Sequence, residues 1–279
     1  MTNSDVLMLV GDSHGNTKYI CAALTLAKDL GVSRILQLGD LGIWPGEEGR
    51  LYINAINDTS RATGVRFDFI DGNHEDFDQL DVYERESDRD ADGSVLVRPY
   101  VHWWPRGSTT VIGGRSFAFL GGAVSVDRFA RKTGKSWWPQ ESLTQQQIDR
   151  FHASVKGPVD VMVTHDAPAS MPMRSTGSYP PELLRASYDM RLVLDKAVRH
   201  AKPKLLCHGH WHLRHYSRSH VKGFRFKTLG AGSESLLEGV CLLDLRDLSP
   251  ATHGSQEYPL SLSRVYRGDE WKSRIVDIR

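Results

Sequence analysis

Residues 6–14 read Val6-Leu7-Met8-Leu9-Val10-Gly11-Asp12-Ser13-His14. Five apolar residues stopped by a glycine and an acid have the length and make-up of a short buried strand. The figure recurs twice: residues 34–38 lead into Gly39-Asp40, and residues 65–70 into Asp71-Gly72-Asn73-His74. The segments between have helical spacing. In residues 16–30, Ile20, Leu24, Ala27 and Leu30 share a face and Gly31 closes the run. After a Trp44-Pro45-Gly46 loop, a second helix is expected from Glu48 to about Ala62. Strand, helix, strand, helix, strand is the pattern of a parallel sheet with crossover helices.

The rest of the chain is richer in strands. Residues 81–92 are highly charged and read as a solvated excursion. Strands are expected at 95–104, 109–112 and 116–120, with Gly113-Gly114 suited to a hairpin turn. A helix at 143–155, with Ser142 or Thr144 as its cap, precedes a buried strand at 159–163 that ends in Thr164-His165-Asp166. Residues 168–181 read as a loop and 182–201 as the clearest helix. A short strand at 205–207 leads into His208-Gly209-His210-Trp211-His212, and antiparallel strands are expected at 216–221, 225–229 and 240–245. One domain is expected over 1–248, with 249–279 a tail packed on it or used in an oligomer contact.

The formal net charge of the 279 residues is +1, so no global positive field exists to hold a long nucleic acid or an anionic membrane. The three cysteines, Cys21, Cys207 and Cys241, form no CxxC pair, which argues against cysteine-ligated zinc and a disulfide framework. No apolar stretch has the length of a membrane span, and the first residues lack a signal-peptide pattern. A cytoplasmic protein is expected.

Five strand ends stop at a metal-capable residue: Asp12, Asp40, Asn73, His165 and His210. Ligands in open α/β sheets sit beyond the carboxyl ends of strands, so these side chains should share one rim. Gly11, Gly39, Gly72 and Gly209 are placed to supply the sharp turns. On an extended segment, His210 and His212 would point the same way. Each motif alone has a plainer reading: a polar turn for Asp12, a satisfied core histidine for His165. The ordered set is far more specific.

That set resembles the calcineurin-like metallophosphoesterase family. The family's pattern is Asp-x-His, Gly-Asp, Gly-Asn-His-Asp/Glu, a lone His, then Gly-His-x-His, and all five blocks stand in order between Leu7 and His212. The resemblance implies a mixed α/β fold, a four-layer αββα sandwich of two mixed sheets flanked by helices. It implies that Asp12, His14 and His212 bind one divalent metal ion, that Asn73, His165 and His210 bind a second, and that Asp40 bridges them. Carboxylate, imidazole and amide oxygen suit manganese first, with iron, zinc or nickel as alternatives. A bridging carboxylate holds two cations about 3.5–4 Å apart, and hydroxide formed between them attacks phosphorus. His74, by the same resemblance, faces the substrate and gives a proton to the leaving oxygen.

The walls of the site depart from the phosphoprotein phosphatases of that family. Those carry Gly-Asp-x-Val-Asp-Arg-Gly and Arg-Gly-Asn-His-Glu, where this chain has Gly39-Asp40-Leu41-Gly42-Ile43-Trp44-Pro45 and Asp71-Gly72-Asn73-His74-Glu75. Two arginines that would clamp a phosphomonoester dianion are missing, which favours a monoanionic diester. Arg98, Arg106, Arg128, Arg131 or Arg174 could replace the clamp from a loop. Trp44 and Trp211 stand where a nucleobase could stack, although packing is the plainer role for them and for the Trp103-Trp104 and Trp137-Trp138 pairs. The expected activity is hydrolysis of small phosphodiesters, such as nucleotides or cyclic nucleotides. A phosphomonoesterase or protein phosphatase, a nuclease, and a metal-bearing scaffold without catalysis are the alternatives.

Overall fold

The structure, a computed structural model, describes residues 5–173, 177–253 and 256–257. The chain opens as its sequence predicts: β1 (Val6–Val10), α1 (Thr17–Asp29), β2 (Arg34–Gln37), α2 (Gly46–Thr63) and β3 (Arg66–Phe69), the three strands parallel. Asn16 caps α1 by accepting from the Tyr19 N–H, which satisfies one of the donors a helix start leaves open. The chain continues through α3 (Phe77–Glu86), β4 (Val95–Arg98), β5 (Val101–Trp103), β6 (Thr109–Ile112), β7 (Arg115–Leu120) and α4 (Gln145–Ser154). It ends with β8 (Val161–Thr164), α5 (Pro181–Ala201), β9 (Leu205–His208), β10 (His215–Val221), β11 (Phe224–Gly230), β12 (Val240–Asp244) and β13 (Ser249–Pro250).

Two mixed sheets result. The first runs β13-β12-β1-β2-β3-β5-β4 and the second β10-β11-β9-β8-β7-β6. Period-two alternation sorts their side chains into three cores. Leu7 and Leu9 of β1 meet Phe117, Phe119, Val163 and Cys207 between the sheets, whereas Met8 and Val10 pack outward under α1 and α2. Met162 and Leu206 face out from the second sheet onto Phe151 of α4 and Leu194 and Val198 of α5. Helix, sheet, sheet, helix is the expected sandwich. The tail expected from residue 249 starts on β13, which pairs with β12 at the sheet edge, and Ala251 beyond it is buried. Residues 258–279 and Arg174 lie outside the described residues.

Two local expectations are corrected. Much of 81–92 is not an excursion, because Phe77–Glu86 is helical, capped by Asp76 and anchored by buried Phe77 and Leu80. Its apolar anchors are too few to show a period against so many charges. The long strand expected at 95–104 is a β4–β5 hairpin, turning at Pro99 and Tyr100. Gly113 and Gly114, both at positive φ, make the β6–β7 turn as predicted.

The charges of the 88–94 segment turn inward onto a buried cluster. Asp68 of β3 is fully buried; it accepts from Arg34 Nε at 2.7 Å, Arg66 Nη2 at 2.9 Å and Trp104 Nε1 at 2.9 Å. Asp90 and Asp92 pair with Arg66 at 2.8 and 2.7 Å. Removing one member of a buried charge network strands the others without water. Asp68→Ala is therefore expected to lower the unfolding free energy by about 3–5 kcal/mol, measured by urea denaturation. A loss under about 1 kcal/mol would mean the cluster is screened like surface pairs.

Candidate metal centre

The parallel strands of both sheets end on one rim. Asp12 and His14 follow β1, Asp40 follows β2, and Asn73 and His74 follow β3. His165 follows β8, and His210 and His212 follow β9, so the second sheet supplies three of the eight. His212 Nε2 lies 3.0 Å from Asp12 Oδ2 and 3.2 Å from His14 Nε2. His165 Nε2 lies 3.3 Å from Asp40 Oδ1, and His14 Nδ1 lies 3.9 Å from Asp40 Oδ2. The ligand atoms of Asp12, His14 and His212 fall within 4.8 Å of one another, as do those of Asp40, His165 and His210. All seven residues expected as ligands, and His74, are thus brought together.

Asp40 joins the loops. Its Oδ1 accepts from the N–H groups of Asn73 at 2.7 Å and His74 at 2.8 Å, and its carbonyl accepts from Ser13 and His14. Burial pushes its carboxyl up, and the charges of His165, His74 and His14 outweigh that, holding it well below the usual range. Burial pushes His165 down, and Asp40 outweighs it, lifting the imidazole to about 10. The pocket therefore demands positive charge around a carboxylate that water does not reach.

Two buried atoms fit a cation there. Asn73 spends its Nδ2 on Ser125 Oγ at 3.0 Å, leaving Oδ1 with no hydrogen-bond partner among the described residues. Ser125 is itself held by Glu141, which accepts from its N–H and from its Oγ. His165 places Nδ1 2.8 Å from the carbonyl of Leu38, and its Nε2 has no hydrogen-bond partner among the described residues. An amide oxygen and an imidazole nitrogen, each oriented by its other polar atom, are what first-row divalent ions take.

The loop geometry differs from expectation in two respects. Of the four expected turn glycines only Gly39 takes a left-handed φ, 96°, and the functional residues themselves carry the rest: His14, Asp40, His210 and His212 have φ of 44°, 55°, 65° and 50°. They are four of the eight non-glycine residues of this kind among the described residues, so backbone strain concentrates at the site. Gly72 and Gly209 provide room instead, since a Cβ at either would strike Oδ1 of Asp40 or of Asp12. Nor is the 209–212 segment extended. His210 and His212 turn to different ligand-capable groups, one with Asp40 and His165, the other with Asp12 and His14.

The walls are also defined. Asp71 does not face the site. It accepts from Arg106 Nε at 2.7 Å, and both residues are buried. Arg98 is spent on Asn54 and its own neighbour's carbonyl, and Arg128 lies over Trp137. Of the described candidate arginines, Arg131 reaches the centre, with Nη2 on His74 Nε2. His74 also lies near enough to His14 and Asp40 to complete a third ligand-capable group, but its Nε2, 4.0 Å from Asp40 Oδ2, is the atom the guanidinium covers. Burial pushes His74 down to about 4, against the pull of Asp40. Trp211 braces the second sheet, donating to Asp166 at 2.8 Å under Arg191, while Trp103, Trp104 and Trp138 are buried. Trp44 remains half-buried against Gly15, beside His14.

Sequence reasoning missed Ser125, Glu141 and the role of Glu75. The Glu75 carboxylate is fully buried and accepts from the N–H groups of Leu41, Gly42 and Ile43. It holds the loop after Asp40. Only its place in the Gly72–Glu75 motif signals it; Ser125 and Glu141 have no local signature.

Comparison of the sequence with curated proteins returned no match. Among solved structures, TT1561 of Thermus thermophilus superposes with a TM-score of 0.56 at 14% identity, over 90% of this chain and 98% of that one. A dimetal phosphatase from Danio rerio superposes with a TM-score of 0.51 at 11% identity, over 87% and 93%. At such identities the likeness is one of fold. The model of the calcineurin-like phosphoesterases matches residues 6–214, three-quarters of the chain and all five motif blocks. The chain therefore belongs to the calcineurin-like phosphoesterase family, the metal-dependent phosphoester hydrolases.

Proposed function

We propose that the protein is a phosphodiesterase for small substrates, nucleotides or cyclic nucleotides among them. Asp12, His14 and His212 would hold one divalent ion and Asn73, His165 and His210 a second, with Asp40 shared between them. Manganese is the first choice of metal. When bound, the two ions supply Lewis acidity toward phosphoryl oxygens and an acidified water. The chain's own part is to hold that geometry and to manage the leaving group. Glu75 fixes the loop carrying Asp40, and Ser125 turns the Asn73 carbonyl inward. When substrate draws Arg131 away, His74 Nε2 takes a proton from water and passes it to the leaving oxygen.

One observation favours diesters. The cation at the centre, Arg131, is paired with Asp127 at 2.8 Å, and Arg98, Arg106 and Arg128 are occupied elsewhere. A guanidinium already half-neutralised suits a monoanion better than the second charge of a monoester. Arg131 also gives monoester hydrolysis its one specific support, so both classes are tested together.

With manganese, turnover of bis-p-nitrophenyl phosphate should exceed that of p-nitrophenyl phosphate by about tenfold or more, a transition-state difference of about 1.4 kcal/mol, and chelation should abolish it. A monoester preference would overturn the diester reading. His74→Ala should keep two metal equivalents by elemental analysis and lose about 10²–10⁴-fold in kcat, most of it on substrates with poor leaving groups. Ser125→Ala should weaken one metal site by about 10- to 100-fold in a competition titration with a chelator, leaving the other unchanged.

A further inference from the structure

The segment between β7 and α4 lays an unusual group against the centre. Arg131 is 9% exposed. Its Nε and Nη2 both donate to Asp127 Oδ2, at 3.1 and 2.8 Å, and Nη2 also meets His74 Nε2. Its Nη1 is buried and has no hydrogen-bond partner among the described residues. An unsatisfied guanidinium nitrogen away from water is costly, and a charged one especially so. Covalent geometry keeps Nη1 adjacent to Nη2, so the unpaired donor sits at the His74 end of the side chain. Asp127 holds the guanidinium from the other side and is itself 43% exposed, so the pair borders solvent there.

That arrangement differs from the two fully buried arginines among the described residues. Arg106 spends its nitrogens on Asp71, Glu141, Ser142 and Gln147, and Arg191 spends its own on the carbonyls of Ala167, Pro168 and Met171. Both are structural braces. Arg131 instead donates to an unprotonated imidazole nitrogen, a weak acceptor for a guanidinium, and leaves Nη1 unpaired. A phosphoryl oxygen is the better acceptor, since charge-assisted Arg–phosphate contacts are about twice as strong as neutral ones and match the planar fork.

We propose that Arg131 is the residue that recognises the substrate's phosphoryl group, binding a phosphoryl oxygen through Nη1 and Nη2. It rests on the phosphoesterase reading above. In moving onto that oxygen the guanidinium leaves His74 Nε2, so the group that binds the phosphate also frees that nitrogen to take up a proton from water for the leaving oxygen. Asp127 limits the charge offered, which sets the site's preference for a monoanionic phosphate over a dianionic one.

The test uses the manganese-loaded full chain, with inorganic phosphate as the probe in calorimetry and bis-p-nitrophenyl phosphate as substrate. Arg131→Ala and the near-isosteric Arg131→Gln should each weaken phosphate binding by about 10- to 100-fold and raise KM, with both metal equivalents and the melting transition retained. Arg131→Lys should recover only part, because a point charge replaces a fork. Asp127→Asn should tighten phosphate and shift the preference toward p-nitrophenyl phosphate. Phosphate affinity within about twofold of wild type in Arg131→Gln, with only kcat lowered, would overturn the proposal and leave Arg131 as a positioning residue for His74. If the wild type hydrolyses no phosphoester, the phosphoesterase reading fails by itself. The calorimetric arm still decides whether Arg131 binds phosphate.

Discussion

Everything at the rim depends on one buried carboxylate. Asp40 accepts main-chain donors from the loop after β3 and, through its carbonyl, from the loop after β1, while His165 of the second sheet reaches its Oδ1. Three loops from two sheets meet on one residue that takes a left-handed φ and is 2% exposed. A carboxylate in that position is costly unless positive charge surrounds it. His165, lifted by Asp40, provides it here, and the orientation of Asn73 Oδ1 and His165 Nε2 suits cations that would do so. The requirement explains why Gly72 and Gly209 have no side chain, since any Cβ there would occupy the space of an acidic oxygen.

Around that node the molecule separates rigid support from adjustable walls. Glu75 and the Asp71–Arg106 pair are buried and fully engaged, so they set the loops and face no ligand. The segment between β7 and α4 does the opposite. Through Ser125 it touches Asn73, and through Arg131 it touches His74. One segment thus governs both the orientation of a candidate ligand and the charge presented at the mouth. A fold shared at 11–14% identity with other proteins can differ in substrate by such a segment alone, because chemistry resides in the site and not in the layers.

Much of this was legible from local pattern. The strands before Asp12, Asp40 and Asn73 announce themselves because buried parallel strands are continuous apolar runs ended by glycine. The helices α1 and α5 show their period over thirteen and twenty-one residues. The short helix α3 did not, since two buried anchors among acids carry little periodic signal. The substitution of Asp71 for an arginine looked like a change in the site and is a change beneath it, because a side chain's direction is decided by its buried partner, Arg106.

The sequence by itself determined the family, the two-sheet sandwich that family implies, and the roster of residues at the centre, because each stands at a strand end marked by its own neighbours. Only the tertiary structure decided the backbone that carries them and the walls around them. It turned the 209–212 segment out of the extended form, placed the strain on Asp40 and the histidines, and picked Arg131 from the candidate arginines as one that reaches the centre. Those outcomes depend on contacts between segments far apart in the chain, such as the fifty-seven positions separating His74 from Arg131. Local propensity carries no information about which distant partner a side chain will find, and packing of the two sheets supplies it.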